Sequence, residues 1–190
     1  MKIQSRRRIL FFERGTVVRK QEWHRMDYLY YQRKINDVII KCPIEAGIEI
    51  LVYNLLDECI GMDEHALVDI NRVRKDQDSR LSTEAGISDI AVLSNDFVFK
   101  QENAGKVYGF IEVKAAGNSL KETEQVEGQM GKVPHFIYTN GVVWKYFYNQ
   151  KLQWEKNLET GKNSKIDLEI AIDENEFQEL KKEILSIKWK

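Results

Sequence analysis

The sequence predicts a mixed α/β sandwich, with helices flanking a small central β-sheet that contains both parallel and antiparallel pairs. Three observations carry this. Apolar residues recur at the 3.6-residue helical period over residues 44–59 and again over 174–187. Between them lie short apolar runs rich in β-branched and aromatic residues at 86–93, 107–114, 136–139 and 142–148. Asn140-Gly141 separates the last two runs, and such a dipeptide between apolar segments signals a tight hairpin, so at least one strand pair is antiparallel.

Taken in chain order, residues 7–19 place Phe and β-branched residues around Glu13-Arg14-Gly15, the pattern of two short strands and a turn. Residues 20–36 have helical character, with Trp23, Met26, Tyr30 and Arg33 spaced to share a face. Pro43 breaks the chain. The helix after it sets Ile44, Ile48, Val52, Leu55, Leu56 and Cys59 on one stripe, and Gly61 is placed to end it. Residues 62–80 are charged and loop-like, with a short strand over 66–73. Ser94-Asn95-Asp96 closes the first central strand as a turn. Residues 119–130 are polar and helical in character. Residues 167–172 suit an edge strand, and the terminal helix aligns Phe177, Leu180, Ile184 and Ile187. The organisation expected is a basic amino-terminal extension over 1–41, contributing an added hairpin and helix, followed by one domain over 42–190.

Composition narrows the function. The 190 residues are 43% hydrophobic and 31% charged, enough apolar material for a sizeable core and against wholesale disorder. No run approaches the ~18 apolar residues of a membrane span, and the charged residues that follow Met1 to Arg8 do not suit a secretory leader, so the expectation is a cytoplasmic protein with no membrane partner. Cys42 and Cys59 form no CxxC, and His24, His65 and His135 are scattered, which excludes a disulfide scaffold and a Cys/His zinc module. No G-x-x-x-x-G-K-[ST] sequence is present, so an ATP-driven motor is not encoded here.

The net charge of −1 hides an asymmetry. Residues 1–41 hold eleven Lys or Arg against four acids, which leaves the rest of the chain acidic by eight. Arg6, Arg7, Arg8, Arg19, Lys20 and Arg25, interleaved with aromatic residues, suit a polyanion; a solvated helix face is the plainer alternative.

The chemistry is concentrated in the middle of the chain. Asp89 sits in the apolar run Ser-Asp-Ile-Ala-Val-Leu. Glu112 and Lys114 are two apart in a strand, so they share a face with Phe110, while Ile111 and Val113 point the other way. Charges inside apolar runs are costly unless paired or bound to a metal. Two carboxylates and a lysine converging on one sheet face suit a hard divalent cation, with the lysine beside it as a charged donor. A solvent-exposed same-face ion pair is the ordinary reading of Glu112 and Lys114 taken alone, and a turn-capping acid that of Asp89.

Asp89 followed by Glu112-x-Lys114 resembles the metal-binding motif of the PD-(D/E)XK nuclease superfamily. The segment from Phe136 to Phe147, Phe-Ile-Tyr-Thr-Asn-Gly-Val-Val-Trp-Lys-Tyr-Phe, is similar to the one that follows this motif in the N-terminal nuclease domain of type I restriction enzyme R subunits. Between the two lies Gln125-x-x-x-Gln129, where that group carries Gln-x-x-x-Tyr on a helix; Gln125 matches and Gln129 departs. Ser88 stands where a proline often precedes the acid. The resemblance spans residues 44–148. It implies a restriction-endonuclease-like fold and a nuclease hydrolysing DNA with Mg²⁺ or Mn²⁺. The implied ligands are Asp89, Glu112 and the carbonyl of Val113, with Lys114 and Gln125 as catalytic side chains. An upstream acid is implied as well, for which Glu45 and Glu49, one helical turn apart, are the alternatives, Glu45 being favoured. DNA is the implied partner, with other restriction-system subunits or a second copy of the chain as open additions. A catalytically silent nucleic-acid-binding module of the same fold, or a protein-interaction module, remains the alternative.

Overall fold

The computed structural model describes residues 11–13, 16–18, 26–60, 65–160 and 169–190. Strands β1 (Phe11–Glu13) and β2 (Thr16–Val18) pair antiparallel as a hairpin, with Phe11 opposite Val18. Arg6, Arg7, Arg8, Arg19, Lys20, Trp23 and Arg25 lie outside the described residues.

Helix α1 (Tyr28–Lys41) begins at Asp27, whose carboxylate accepts the Tyr30 amide at 2.7 Å and so satisfies a donor that the first turn leaves free. It starts and ends later than residues 20–36, and its inward face differs from the one expected. Tyr31 and Ile35 are fully buried, whereas Tyr30 is exposed. Met26 is buried as the expected stripe required, but Tyr30 faces solvent and Tyr31 turns inward instead, its ring 5.1 Å from that of Phe177. The helix stops where Pro43 forces the preceding residue out of helical geometry, Cys42 having φ −157° and ψ 85°. Helix α2 (Glu45–Cys59) follows the expected period from Ile48 on, burying Ile48, Leu51, Val52, Leu55, Leu56 and Cys59, whereas Ile44 caps the helix and is exposed. The two helices touch closely at Gly47, where an added Cβ would sit 2.8 Å from a Val38 methyl.

Six strands make the main sheet, in order β3 (His65–Asp69), β4 (Ile90–Ser94), β5 (Val107–Val113), β6 (His135–Thr139), β7 (Val143–Tyr148) and β8 (Lys151–Asn157). Neighbours are antiparallel except β5 and β6, which run parallel and are joined by a crossover through helix α3 (Glu124–Met130). The sheet is thus mixed, as the sequence predicts, and with four helices among the described residues the fold is α+β. The Asn140-Gly141 turn joins β6 to β7. Gly141 has φ +83°, and Asn140 Oδ1 accepts the amides of Val142 and Val143. Residues 167–172 do not yield the expected edge strand among the described residues; Ile172 makes only an isolated bridge to Glu159.

Helices α1, α2 and α4 (Glu174–Ser186) cover one sheet face, burying Ile90, Val92, Ile111, Val113 and Ile137 beneath them. Tyr31 and Ile35 of α1 belong to this same core, and the Tyr31 hydroxyl donates to the Gly141 carbonyl at 2.6 Å. Trp144, fully buried, donates to the same carbonyl at 3.2 Å, in keeping with a packing role. The opposite face carries Ala91, Leu93, Phe110, Phe136, Tyr138 and Phe147 under α3. No helix among the described residues is long and apolar enough to cross a membrane.

Candidate active site

One end of the sheet gathers the buried carboxylates of Glu49 and Glu112 with the partly buried Asp89 and Lys114. Asp89 lies immediately before β4, opposite Glu112 by continuation of the Ile90–Ile111 register. Its backbone is fixed on both sides: the amide donates to Ile111 and the carbonyl accepts from Ile70. Its carboxylate Oδ2 accepts the Val113 amide at 2.7 Å. Asp89 is thereby tied to the strand that carries its partners.

Glu112 is the penultimate residue of β5 and only 3% exposed, on the α3 side of the sheet with Phe110. Lys114, just past the strand end, places Nζ 2.6 Å from Glu112 Oε1, while its amide bonds to Thr139 of β6. The expected same-face pair therefore exists, and it is half-buried rather than solvated. Glu112 Oε2 is buried without a hydrogen-bond partner.

Both upstream acids reach this end of the molecule from the first turns of α2. Glu49 is largely buried and its Oε1 accepts from Asn71 at 2.7 Å. It lies within electrostatic reach of Asp89, whereas Glu45, partly exposed, bears on Glu112 and Lys114.

The electrostatics are those of crowded carboxylates. Burial, reinforced by Glu112 and Glu49, pushes the Asp89 carboxyl up to about 7, against the lowering effect of the Val113 amide. Burial also raises Glu112, although the bond to Lys114 opposes it. Glu49 rises through burial and the nearby Asp69. Lys114 loses hydration, which works against its charge, yet the bond to Glu112 together with the charges of Glu112, Glu45 and Asp89 outweighs this and raises its pKa. An acid-rich cluster with one lysine and an unpartnered carboxylate oxygen has an electrostatic deficit that a cation relieves.

The donor set fits a divalent ion of the Mg²⁺ type. Among the described residues no three His, Cys, Asp or Glu side chains form a ready cage. Mg²⁺ does not require one: it is commonly held by one or two carboxylates and keeps several waters. Glu112 Oε2, buried and unpartnered, is the oxygen that such an ion would satisfy.

At fold level the chain has a solved counterpart. One chain of the cryo-EM structure of a DrdV–DNA complex aligns with a TM-score of 0.53 and 12% sequence identity, covering 83% of this chain and 94% of that one. That likeness is one of fold. No family model matches the sequence, and no curated protein does.

The structure brings Asp89, Glu112, Lys114, Glu45 and Glu49 to one place. Gln125 is exposed on α3, and its amide nitrogen lies 3.8 Å from where a Cβ on Gly86 would stand, beside that of Gln129 at 3.9 Å. Gln129, one turn on, is fully buried, and its amide lies against the Glu112 carboxyl without completing a hydrogen bond. Two further neighbours were not singled out from sequence. Asn71 holds Glu49. Tyr138 pairs with Glu112 across the β5–β6 register. Asn71 sits in a charged loop with no periodic signal. Tyr138 could have been found, since it lies on the same face of the next strand.

Proposed function

We propose that this chain is a metal-dependent nuclease that hydrolyses phosphodiester bonds of DNA, serving as the endonuclease module of a restriction or phage-defence system. The observation that carries the reading is the convergence of Asp89, Glu112 and Lys114 at one sheet end, with Glu112 bonded to Lys114 through one oxygen and its second oxygen buried and unpartnered. The fold shared with a chain of a protein–DNA complex supports DNA as the polymer.

Asp89 and Glu112, with the backbone carbonyl of Val113, would hold Mg²⁺ or Mn²⁺. Such an ion supplies polarisation of the phosphodiester and lowers the pKa of a bound water. Lys114 stays protonated because Glu112 raises its pKa. It is therefore a donor and not a general base. It orients the attacking water, or holds negative charge developing on the phosphoryl oxygens, an effect of about 10²–10³ in rate for one well-placed donor. Glu45 and Glu49 add negative charge that favours the cation. One such centre per chain cuts one strand, so a double-strand break requires two copies, two visits or a partner subunit.

The basic residues Arg6, Arg7, Arg8, Arg19, Lys20 and Arg25 would add phosphate contacts without sequence preference, making affinity fall steeply with salt. The same basic segment favours the second reading, a DNA-binding module without turnover. Incubation with linear, supercoiled and single-stranded DNA in Mg²⁺ or Mn²⁺ separates the two. Cleavage supports the nuclease. Salt-sensitive binding to intact DNA, indifferent to EDTA, overturns it in favour of the binding module.

A further inference from the structure

Helix α3 turns one polar side chain into the interior, and that side chain is Gln129. It is 0% exposed, between Val126 and Met130, which are also buried. Neither its Nε2 nor its Oε1 has a hydrogen-bond partner. An unpaired buried amide costs about 1–3 kcal/mol, and an apolar side chain of similar volume would suit this environment better. Glu112 Oε2 is likewise buried and unpartnered. The Gln129 amide lies against that carboxyl, near enough to favour its charged form. A donor and an acceptor, both unspent, therefore stand side by side beneath the candidate ion site.

The backbone keeps them there. Residues 83–86 form a tight turn through paired bonds between Thr83 and Gly86, and α3 rests on it. At Gly128 an added Cβ would meet the Ala85 methyl at 2.5 Å, so the helix approaches only because that position is glycine. At Gly86, φ is +135° and the Gln129 amide lies 3.9 Å from where a Cβ would stand. The close approach buries Gln129, while Gln125, whose amide nitrogen lies 3.8 Å from the same Cβ position, stays exposed.

We propose that Gln129 is the positioning residue for Glu112: its Nε2, unpartnered beside the unpartnered Glu112 Oε2, closes onto that oxygen when a divalent cation binds, fixing the carboxylate's rotation while a second lone pair meets the ion. This rests on the metal-dependent reading above and extends it to a residue of this chain's own.

The test is Gln129→Met, close in volume and without donor or acceptor, made in the full chain and compared with wild type by Mn²⁺ titration followed by electron paramagnetic resonance. Thermal melts in EDTA and DNA cleavage are read in parallel. Mn²⁺ affinity is expected to fall about 10–100-fold, the usual effect of losing a residue that orients a ligand. The melting temperature in EDTA is expected to hold or rise, since an unpaired amide has been removed. Gln129→Leu should give the same pattern. Mn²⁺ bound as tightly by both variants as by wild type overturns the inference and leaves the nuclease reading standing. Weakened Mn²⁺ binding by the variants with no cleavage by any chain supports the positioning role while overturning the nuclease reading. Wild type that binds no Mn²⁺ overturns both. A large drop in melting temperature in both variants also overturns the inference, because Gln129 would then be holding the fold.

Discussion

Lys114 Nζ and Glu112 Oε1 stand 2.6 Å apart at the end of β5, two residues apart in sequence and on one face of the strand. The pair is half-buried, so neither partner is replaceable by water without consequence. Lys114→Ala should lower cleavage by about 10²-fold or more. It should also leave Glu112 as a buried carboxylate without the Lys114 donor, costing about 1–3 kcal/mol. Single-turnover cleavage and urea unfolding measure the two effects separately. A variant that is destabilised but cleaves at the wild-type rate would make Lys114 structural only.

Stability should depend on pH in an unusual direction. Asp89 is raised to about 7 by burial and by Glu112, and Glu49 and Glu112 shift the same way. A carboxyl whose folded pKa exceeds its unfolded value contributes stability fully below the unfolded value, near 3.8, and loses it as pH rises through about 7. In EDTA the melting temperature should therefore fall from pH 5.5 to pH 8. Asp78, held down to about 2 by Arg80, loses its contribution only at much lower pH and does not interfere in this window. Mg²⁺ should raise the melting temperature more at pH 8 than at pH 5.5. Melts at constant ionic strength check both, and a flat EDTA profile would contradict the crowded-carboxylate description.

Tyr31 links α1 to the turn beside the site through its bond to the Gly141 carbonyl. Tyr31→Phe keeps the ring and removes the donor. It should cost about 1 kcal/mol, or roughly 2–4 °C in a chain of this size, with little change in DNA cleavage. A large catalytic loss would mean that the turn shapes the site directly.

Gly141 has φ +83°, and a Cβ there would sit 3.0 Å from an Ile48 methyl and 3.2 Å from one of Ile35. Gly141→Ala combines backbone strain of about 1–3 kcal/mol with crowding of α1 and α2. Denaturant unfolding should show it as more destabilising than Tyr31→Phe; the reverse order would contradict the placement of that turn.

Much of this was legible in the sequence where two signals agreed. Helix α2 had period and a Pro boundary, and the β6–β7 hairpin had both strands and Asn140-Gly141. Strand β8 was missed because its turn lacks glycine: Asn149 and Gln150 adopt φ of +46° and +63° themselves, and the strand is largely exposed, with little hydrophobic alternation to read. The stripe on α1 was misplaced by one residue because its partner surface, α2 with Gly141, is assembled only in three dimensions. At the site, Asp89, Glu112 and Lys114 were visible as charges inside apolar strands. Gln129 stood out only as a departure from the Gln-x-x-x-Tyr pattern, since a buried glutamine and an exposed one look alike until the helix is docked.

The central claim is tested most directly by one paired incubation. Wild type and Lys114→Ala are exposed to supercoiled plasmid in Mn²⁺, and in Mn²⁺ with excess EDTA, and nicked and linear products are quantified over time. Nicking by wild type alone, abolished by EDTA, is the predicted result. Equal nicking by both chains, or nicking that survives EDTA, would contradict the account.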